Sequence, residues 1–151
     1  GRLGAISLAG PRQCWPLSLH LARTYIAPRL ALLGDTAHGV HPIAGQGLNL
    51  ALRDAAALAE VIADAARVGL DIGSHDVLER YERWRRFDST VSAAAYDGLN
   101  RTFSWDNSIA RAVRSFGLQM VDRLPGGKEY FIAEAAGVTG ELPRLLQGQA
   151  L

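Results

Sequence analysis

The chain has 151 residues, 48% of them hydrophobic and 21% charged, with a formal net charge of +1, the profile of one ordinary soluble domain. Sixteen basic against fifteen acidic residues give no global field for a polyanion, which argues against nucleic acid as a partner. The single cysteine, Cys14, excludes an internal disulfide framework and a multi-cysteine zinc site, points weakly to an intracellular chain, and is expected as a buried small apolar side chain.

The first segment carries short apolar runs, Leu3 to Leu8, Trp15 to Leu21 and Leu30 to Leu33, split by Gly10-Pro11 and Pro28. Such lengths and breaks predict strands. Gln13 to Leu21 sets Trp15, Leu17, Leu19 and Leu21 at period two, as in a strand covered on one face. Leu30 to Leu33 is wholly apolar, as in a strand buried on both faces. Thr36 to Leu52 is the longest uncharged run, but two His, Pro, Gln, Asn and three Gly make it no membrane span.

A helix is predicted from Gly47 to Asn49 onward. Leu48, Leu52, Ala55, Ala56, Ala59, Ile62 and Ala66 form its apolar stripe, with Arg53, Glu60, Asp64 and Arg67 on the wet side. Gly69 and Gly73-Ser74 end it and cap the next helix. Val77, Leu78, Tyr81, Trp84, Val91, Ala95 and Leu99 then follow a helical period. Arg80 to Arg86, interleaved with Glu79 and Glu82, is expected as a solvated, salt-bridged face, with membrane-surface or partner docking as the alternative. A further helix is predicted from Asn107 to Leu124, capped by Asp106, and a short one from Lys128 to Ala136, capped by Gly137. Phe103, Trp105, Phe116 and Phe131 are expected to pack between helices, with a lipid-binding surface as the alternative.

The informative stretch is Leu30 to Asp54, LALLGDTAHGVHPIAGQGLNLALRD. A buried strand ending at Gly34-Asp35 places a carboxylate at a sheet edge, where open α/β sheets bind ligands, and its two oxygens can accept from the hydroxyls of a polyol. Gly45-Gln46-Gly47-Leu48-Asn49 then leads into a helix whose first N–H groups have no intrahelical acceptor. Those amides and the helix dipole, together about 0.3 to 2 kcal/mol, favour negative charge there. Gly45 and Gly47 leave room for a flat ligand to approach the backbone. His38 and His41 stand three apart, but a third ligand at the usual spacing is missing, and no metal is expected.

This block resembles the second FAD-binding motif of the flavoprotein aromatic hydroxylases, the para-hydroxybenzoate hydroxylase class, and most closely the ubiquinone-biosynthesis hydroxylase family. The resemblance rests on Leu32-Leu33-Gly34-Asp35, Ala37-His38, His41-Pro42, Ala44-Gly45-Gln46-Gly47-Leu48-Asn49-Leu50 and Arg53-Asp54. Trp15-Pro16-Leu17 with Ala22-Arg23 upstream, and Leu78 to Arg85, Asp97 to Phe103, Arg114 with Phe116 to Leu118, and Asp122 to Pro125 with Lys128 downstream, extend it over nearly the whole chain.

The resemblance implies an α/β fragment: a few N-terminal strands, then a mostly helical C-terminal half. Residues 1–33 would be strands from the end of the substrate-binding sheet, 34–70 the second FAD motif, and 71–151 a helical region. Asp35 would bind the ribityl chain of FAD, with Gly34 allowing the approach. The amides of Leu48 and Asn49 would meet the pyrimidine edge of the flavin, and Pro42 to Gln46, including Ala44 and Gly45, would wall the ring. Trp15, Leu17 and Leu19 would line the substrate side. The chemistry implied is reduction of FAD by NAD(P)H, addition of O2 at flavin C4a, and hydroxylation of a polyprenyl phenol. A hydroxylase of a soluble aromatic compound is the alternative, as is an assembly module in the helical half. The family's opening Gly-x-Gly-x-x-Gly and its middle Asp-Gly motif are not in this sequence. The chain is therefore expected to be the C-terminal portion of a longer enzyme, dependent on its N-terminal remainder and binding FAD weakly or not at all alone. Self-association or a ubiquinone-biosynthesis complex, and a cytoplasmic place with peripheral contact at the inner membrane, are the further expectations.

Overall fold

The computed structural model describes residues 9–14, 18–40, 45–104 and 136–151, with isolated residues at 4, 7, 115, 117, 126, 129, 132 and 133. Two small antiparallel sheets and two long helices make up most of this part. Strand β1 (His20–Leu21) pairs with β4 (His38–Gly39), and β2 (Ile26–Ala27) with β3 (Leu30–Ala31). Helix α1 runs Gly47–Arg67 and α2 His75–Ser104. Mixed strands and helices fit the expected class, but each strand is only two residues long. Tight turns explain the short strands: Pro28-Arg29 closes one hairpin, and a 3-10 turn at Gly34–Thr36 bends the chain between β3 and β4.

Tyr25, Ile26, Ala37, Ala57, Val61, Ala65, Val77, Leu78 and Tyr81 are buried together, so the core lies between the hairpins and the facing sides of α1 and α2. Tyr81 adds a polar fastening by donating its hydroxyl to the Leu32 carbonyl at 2.7 Å. The α1 terminus follows the expected glycine stop: Gly69 has φ +72°, Gly69 N–H donates to the Ala66 carbonyl and Leu70 N–H to that of Ala65. That pair of bonds is the Schellman closure. Gly137, at φ +71°, shows the same backward bond from Val138 N–H to the Ala133 carbonyl.

The phase of α1 differs from the sequence expectation. Its buried residues are Leu50, Arg53, Asp54, Ala56, Ala57, Val61 and Ala65, while Leu48 and Leu52 are 69% and 52% exposed. Of the expected inward stripe only Ala56 is buried; Ala55 and Ala66 are exposed, and Ala59 and Ile62 are half-buried. Small side chains let α1 approach its neighbours closely along Ala57, Val61 and Ala65, and ion pairing brings Arg53 inside. Arg85 likewise leaves the expected wet face of α2 and is fully buried, whereas Val91 and Ala95 are exposed.

Two further expectations are corrected. Cys14 is exposed rather than buried, and the Leu30 to Leu33 strand is not covered on both faces: Leu30 is 49% and Leu33 38% exposed. Among the described residues β3 pairs on one side only, with β2. The predicted strand from Leu3 and the helix from Asn107 lie largely or wholly outside the described residues, as do Trp105, Phe116 and Phe131.

Candidate functional site

Gly34 turns the chain out of β3 with φ +58°, and a Cβ there would stand 3.1 Å from Ala51 Cβ on α1. Glycine is needed on both counts. Its positive φ directs the next residue, Asp35, to the surface beside the start of α1. The Asp35 Oδ1 atom lies 3.8 Å from where a Cβ on Gly47 would be. An exposed carboxylate and the N-terminal turn of a helix of 21 residues therefore share one small region. The residue at the N-cap position, Gln46, does not cap that turn with its side chain. Gly45, at φ +63°, has no atom of the described residues within 4 Å of where its Cβ would be. Gln46 is buried and accepts from Asn49 Nδ2 at 2.8 Å through Oε1, which orders the loop entering the helix.

Two side chains fasten the Gly34-Asp35 backbone. His20 reaches from β1 across Gly39, its Nε2 lying 2.7 Å from the Asp35 carbonyl oxygen. A carbonyl only accepts, so this contact requires the Nε2–H form of His20. The ring occupies the place a Gly39 side chain would need, 2.2 Å from its Cβ position. From the other side, Asp54 Oδ2 accepts the Gly34 N–H at 2.9 Å.

Asp54 is a fully buried hub. It also takes hydrogen bonds from His38 Nε2 at 2.5 Å and Arg85 Nε at 2.7 Å. Burial by itself would push the Asp54 carboxyl up, but the bonds from His38, Arg85 and Gly34 outweigh it and hold the group below the usual carboxylate range. Arg85 Nη1 continues to Asp88 at 2.7 Å, and Arg53 Nη1 meets the same Asp88 oxygen at 3.1 Å. Arg53 Nη2 then donates to the carbonyls of Gly137, at 3.1 Å, and Thr139. Two buried guanidinium groups are thus matched by the buried Asp54 and the half-buried Asp88, as buried charge requires.

Of the sequence-derived candidates, Gly34, Asp35, Gly45, Gln46, Gly47, Leu48 and Asn49 lie in the described residues, and the Asp35 loop meets the α1 start. Pro42, Ala44, His41, Trp15 and Leu17 lie outside them. Leu19 is 41% exposed near β1. His38 points inward to Asp54. Asp54, Arg85 and His20 were not singled out as holding the site; the adjacent Arg53-Asp54 pair in the quoted motif was the available signal. A cavity of about 480 Å³ lies elsewhere, against Thr24, Arg29, Asp71, His75 and Glu82, and none of the described residues among 35–40 and 45–49 is in its lining.

Residues 9–93 match the family model described as FAD binding domain. An uncharacterized protein of Synechocystis is 44% identical over 99% of this chain and 36% of its own length. The ubiquinone hydroxylase UbiL of Rhodospirillum rubrum is 43% identical over 99% of this chain and 35% of its own. The human mitochondrial ubiquinone biosynthesis monooxygenase COQ6 is 41% identical over 85% of this chain and 27% of its own. The chain spans about a third of the length of these relatives.

Proposed function

The chain belongs to the FAD-binding domain family, and we propose that it supplies the flavin-ring side of the site in an FAD-dependent monooxygenase that hydroxylates a polyprenyl phenol in ubiquinone biosynthesis. NAD(P)H is the proposed reductant and O2 the second substrate. The names of the relatives from Rhodospirillum and human support the substrate class. In this reading residues 1–33 end the substrate-binding sheet, 34–70 carry the second FAD motif, and 71–151 are the helical part, within a longer enzyme whose remainder holds the other half of FAD.

The observation that carries the reading is the meeting of the Asp35 carboxylate with the glycine-bearing start of α1. The residues fit the cofactor: an exposed acceptor for hydroxyls beside the start of a long helix, and two glycines with no Cβ in the way. When bound, FAD supplies the redox and oxygen chemistry. Asp35 accepts hydrogen bonds from the ribityl hydroxyls. The amides of Leu48 and Asn49, with the helix dipole behind them, would hold the pyrimidine edge of the flavin and favour negative charge there. Gly45 and Gln46, with Pro42 and Ala44 from outside the described residues, would form the wall beside the ring.

The test is an FAD titration of the natural full-length protein and of its Asp35→Ala variant, followed by flavin fluorescence. Saturable binding by the native protein, weakened about tenfold or more by the substitution, is expected, a loss of one charge-assisted hydrogen bond. Equal affinity in both would remove Asp35 from the site, and no binding by the native protein would overturn the cofactor itself.

A further inference from the structure

Three sides of helix α1 are occupied. Ala57, Val61 and Ala65 lie in the core shared with α2 and the hairpins. The Gly47 and Ala51 side meets the Gly34-Asp35 loop. On the polar flank residues 137–147 lie along the helix as a strap. Arg53 donates to the Gly137 and Thr139 carbonyls, Arg144 Nη2 holds Asp64 at 2.5 Å, and the Arg144 N–H donates to Glu60 Oε2 at 2.7 Å. A Cβ on Gly137 would lie 3.6 Å from Asn49 Cγ, at the upper end of that flank.

With about 100° of turn per residue, one side is left over: Leu48, Leu52, Ala55, Ala59, Ile62 and Ala66. Leu48 and Leu52 are 69% and 52% exposed, Ala55 and Ala66 are exposed, and the other two are half-buried. This stripe runs about 27 Å along the helix without a polar side chain. Arg53, Asp54, Glu60, Asp64 and Arg67, the charged residues of α1, all fall outside it. A surface helix normally gives its charged residues to water, whereas α1 turns four of these toward the strap and the interior and leaves an apolar side bare. A helix apolar on two sides is built to be covered on both. The alanines between the larger Leu and Ile side chains admit another backbone closely, as Ala57 and Ala65 do on the core side, which suits a packed protein surface.

The size of the relatives and the position of the stripe name the occupant. This chain spans about a third of their length. The stripe starts at Leu48, next to the Gly47 position that faces Asp35, and the other half of the same FAD is assigned to the remainder of the enzyme. We propose that the Leu48 to Ala66 stripe is the docking surface for that remainder, which closes over α1 and carries its half of the cofactor site to the Asp35 end. The inference rests on the reading of the chain as part of a longer FAD enzyme and adds where the two parts join.

Photo-crosslinking tests it in the natural full-length protein, grown with the diazirine analogue of leucine and irradiated as a mixture of isotope-labelled and unlabelled copies. Cross-links from Leu48 and Leu52 to peptides outside residues 1–151, within one molecule, are expected. Cross-links between copies, or solvent adducts alone, overturn the proposal. Leu52→Glu is expected to lower the Leu48 cross-link yield about tenfold or more, since a carboxylate does not enter an apolar contact without a partner. An undiminished yield in the folded variant overturns the apolar docking. FAD titration of the same protein keeps the two readings apart. FAD binding without these cross-links leaves the cofactor and overturns the docking surface, whereas the cross-links without FAD binding support the surface and overturn the cofactor.

Discussion

The Gly34 N–H donates to Asp54 Oδ2 at 2.9 Å, so a buried carboxylate on the second turn of α1 holds the residue immediately before Asp35. The helix that presents its N-terminus to the site thereby also sets the loop facing that N-terminus. Arg85 and His38 hold Asp54 from α2 and β4, so three elements must dock before the loop takes its shape. Asp35 is consequently the exposed end of an interior network.

Removing the Asp54 carboxylate should act on both fold and cofactor. Asp54→Ala leaves Arg85 buried with only Asp88 for company, and the cost of breaking such a pair is about 3 kcal/mol. Asp54→Asn keeps the size and one acceptor oxygen, so it should be milder. Urea unfolding midpoints would rank the two. FAD affinity of the full-length Asp54→Asn protein, measured where it is still folded, should fall with the loss of the Gly34 fastening. A native affinity there would show that the loop keeps its form unaided.

The same carboxylate gives an acid limb to stability. Its folded pKa lies below the ordinary value, so its contribution is present above about pH 4, the unfolded carboxyl value, and is lost as pH falls through the lower folded one. Stability of the native protein should therefore drop below about pH 4 more steeply than that of Asp54→Asn. Circular dichroism melts between those conditions and neutrality would measure the difference, and parallel curves would assign the acid limb to other carboxylates.

Gly34 and Gly45 both have positive φ but different surroundings, which makes them a controlled pair. Gly45→Ala meets no atom of the described residues within 4 Å, so the backbone strain of about 1 kcal/mol is the expected cost. Gly34→Ala adds a Cβ 3.1 Å from Ala51 Cβ, where overpacking brings the expected total to about 3 kcal/mol. Equal shifts in the unfolding midpoint would mean that Ala51 gives way freely. FAD binding should suffer in both, since Gly45 borders the proposed ring wall.

The local signals of the glycine-bearing stretch were legible in the sequence, whereas the facing of α1 was not. Gly34, Gly45 and Gly69 sit at positive φ where turn chemistry asks for glycine. The helix, however, carries apolar residues on two sides. Leu48, Leu52 and Ala55 outweighed Ala57, Val61 and Ala65 in hydropathy, yet the smaller set faces the core. Hydropathy periodicity finds the largest apolar stripe, but close helix packing rewards small side chains, and a charged residue with partners can be buried beside them. Arg53, Asp54 and Arg85 appear wet in a linear reading because most of their partners are distant in sequence, from 16 residues between His38 and Asp54 to 86 between Arg53 and Thr139. Cys14 shows the reverse: its residue type suggests burial, yet it is exposed.

Tyr81→Phe isolates one hydrogen bond in the core. The hydroxyl donates to the Leu32 carbonyl at 2.7 Å, and burial pushes the Tyr81 pKa up, so it remains a donor through the neutral and mildly alkaline range. Its removal leaves the ring packing intact and one carbonyl short of a partner, a cost of about 1 to 2 kcal/mol. Thermal melts at neutral pH would show it. No loss would mean that solvent reaches Leu32 from the side where Leu33 is already exposed.

Arg53→Lys tests whether the strap depends on the shape of the guanidinium or merely on its charge. Arg53 uses separate nitrogens for Asp88 on α2 and for the Gly137 and Thr139 carbonyls. A lysine ammonium keeps the charge but is a single point that cannot span both sets. The substitution should cost about 2 kcal/mol through unpaired buried acceptors, and limited proteolysis should speed up at residues 136–140. Arg144→Lys is the comparison: its partners Glu60 and Asp64 lie one turn apart on a wetter face of α1, and a single ammonium can still serve either one. Its effect on proteolysis at 136–140 should therefore be smaller. If Arg144→Lys exposes that segment as much as Arg53→Lys does, the strap is held as one unit, and Arg53 has no particular hold on the end beside Asn49.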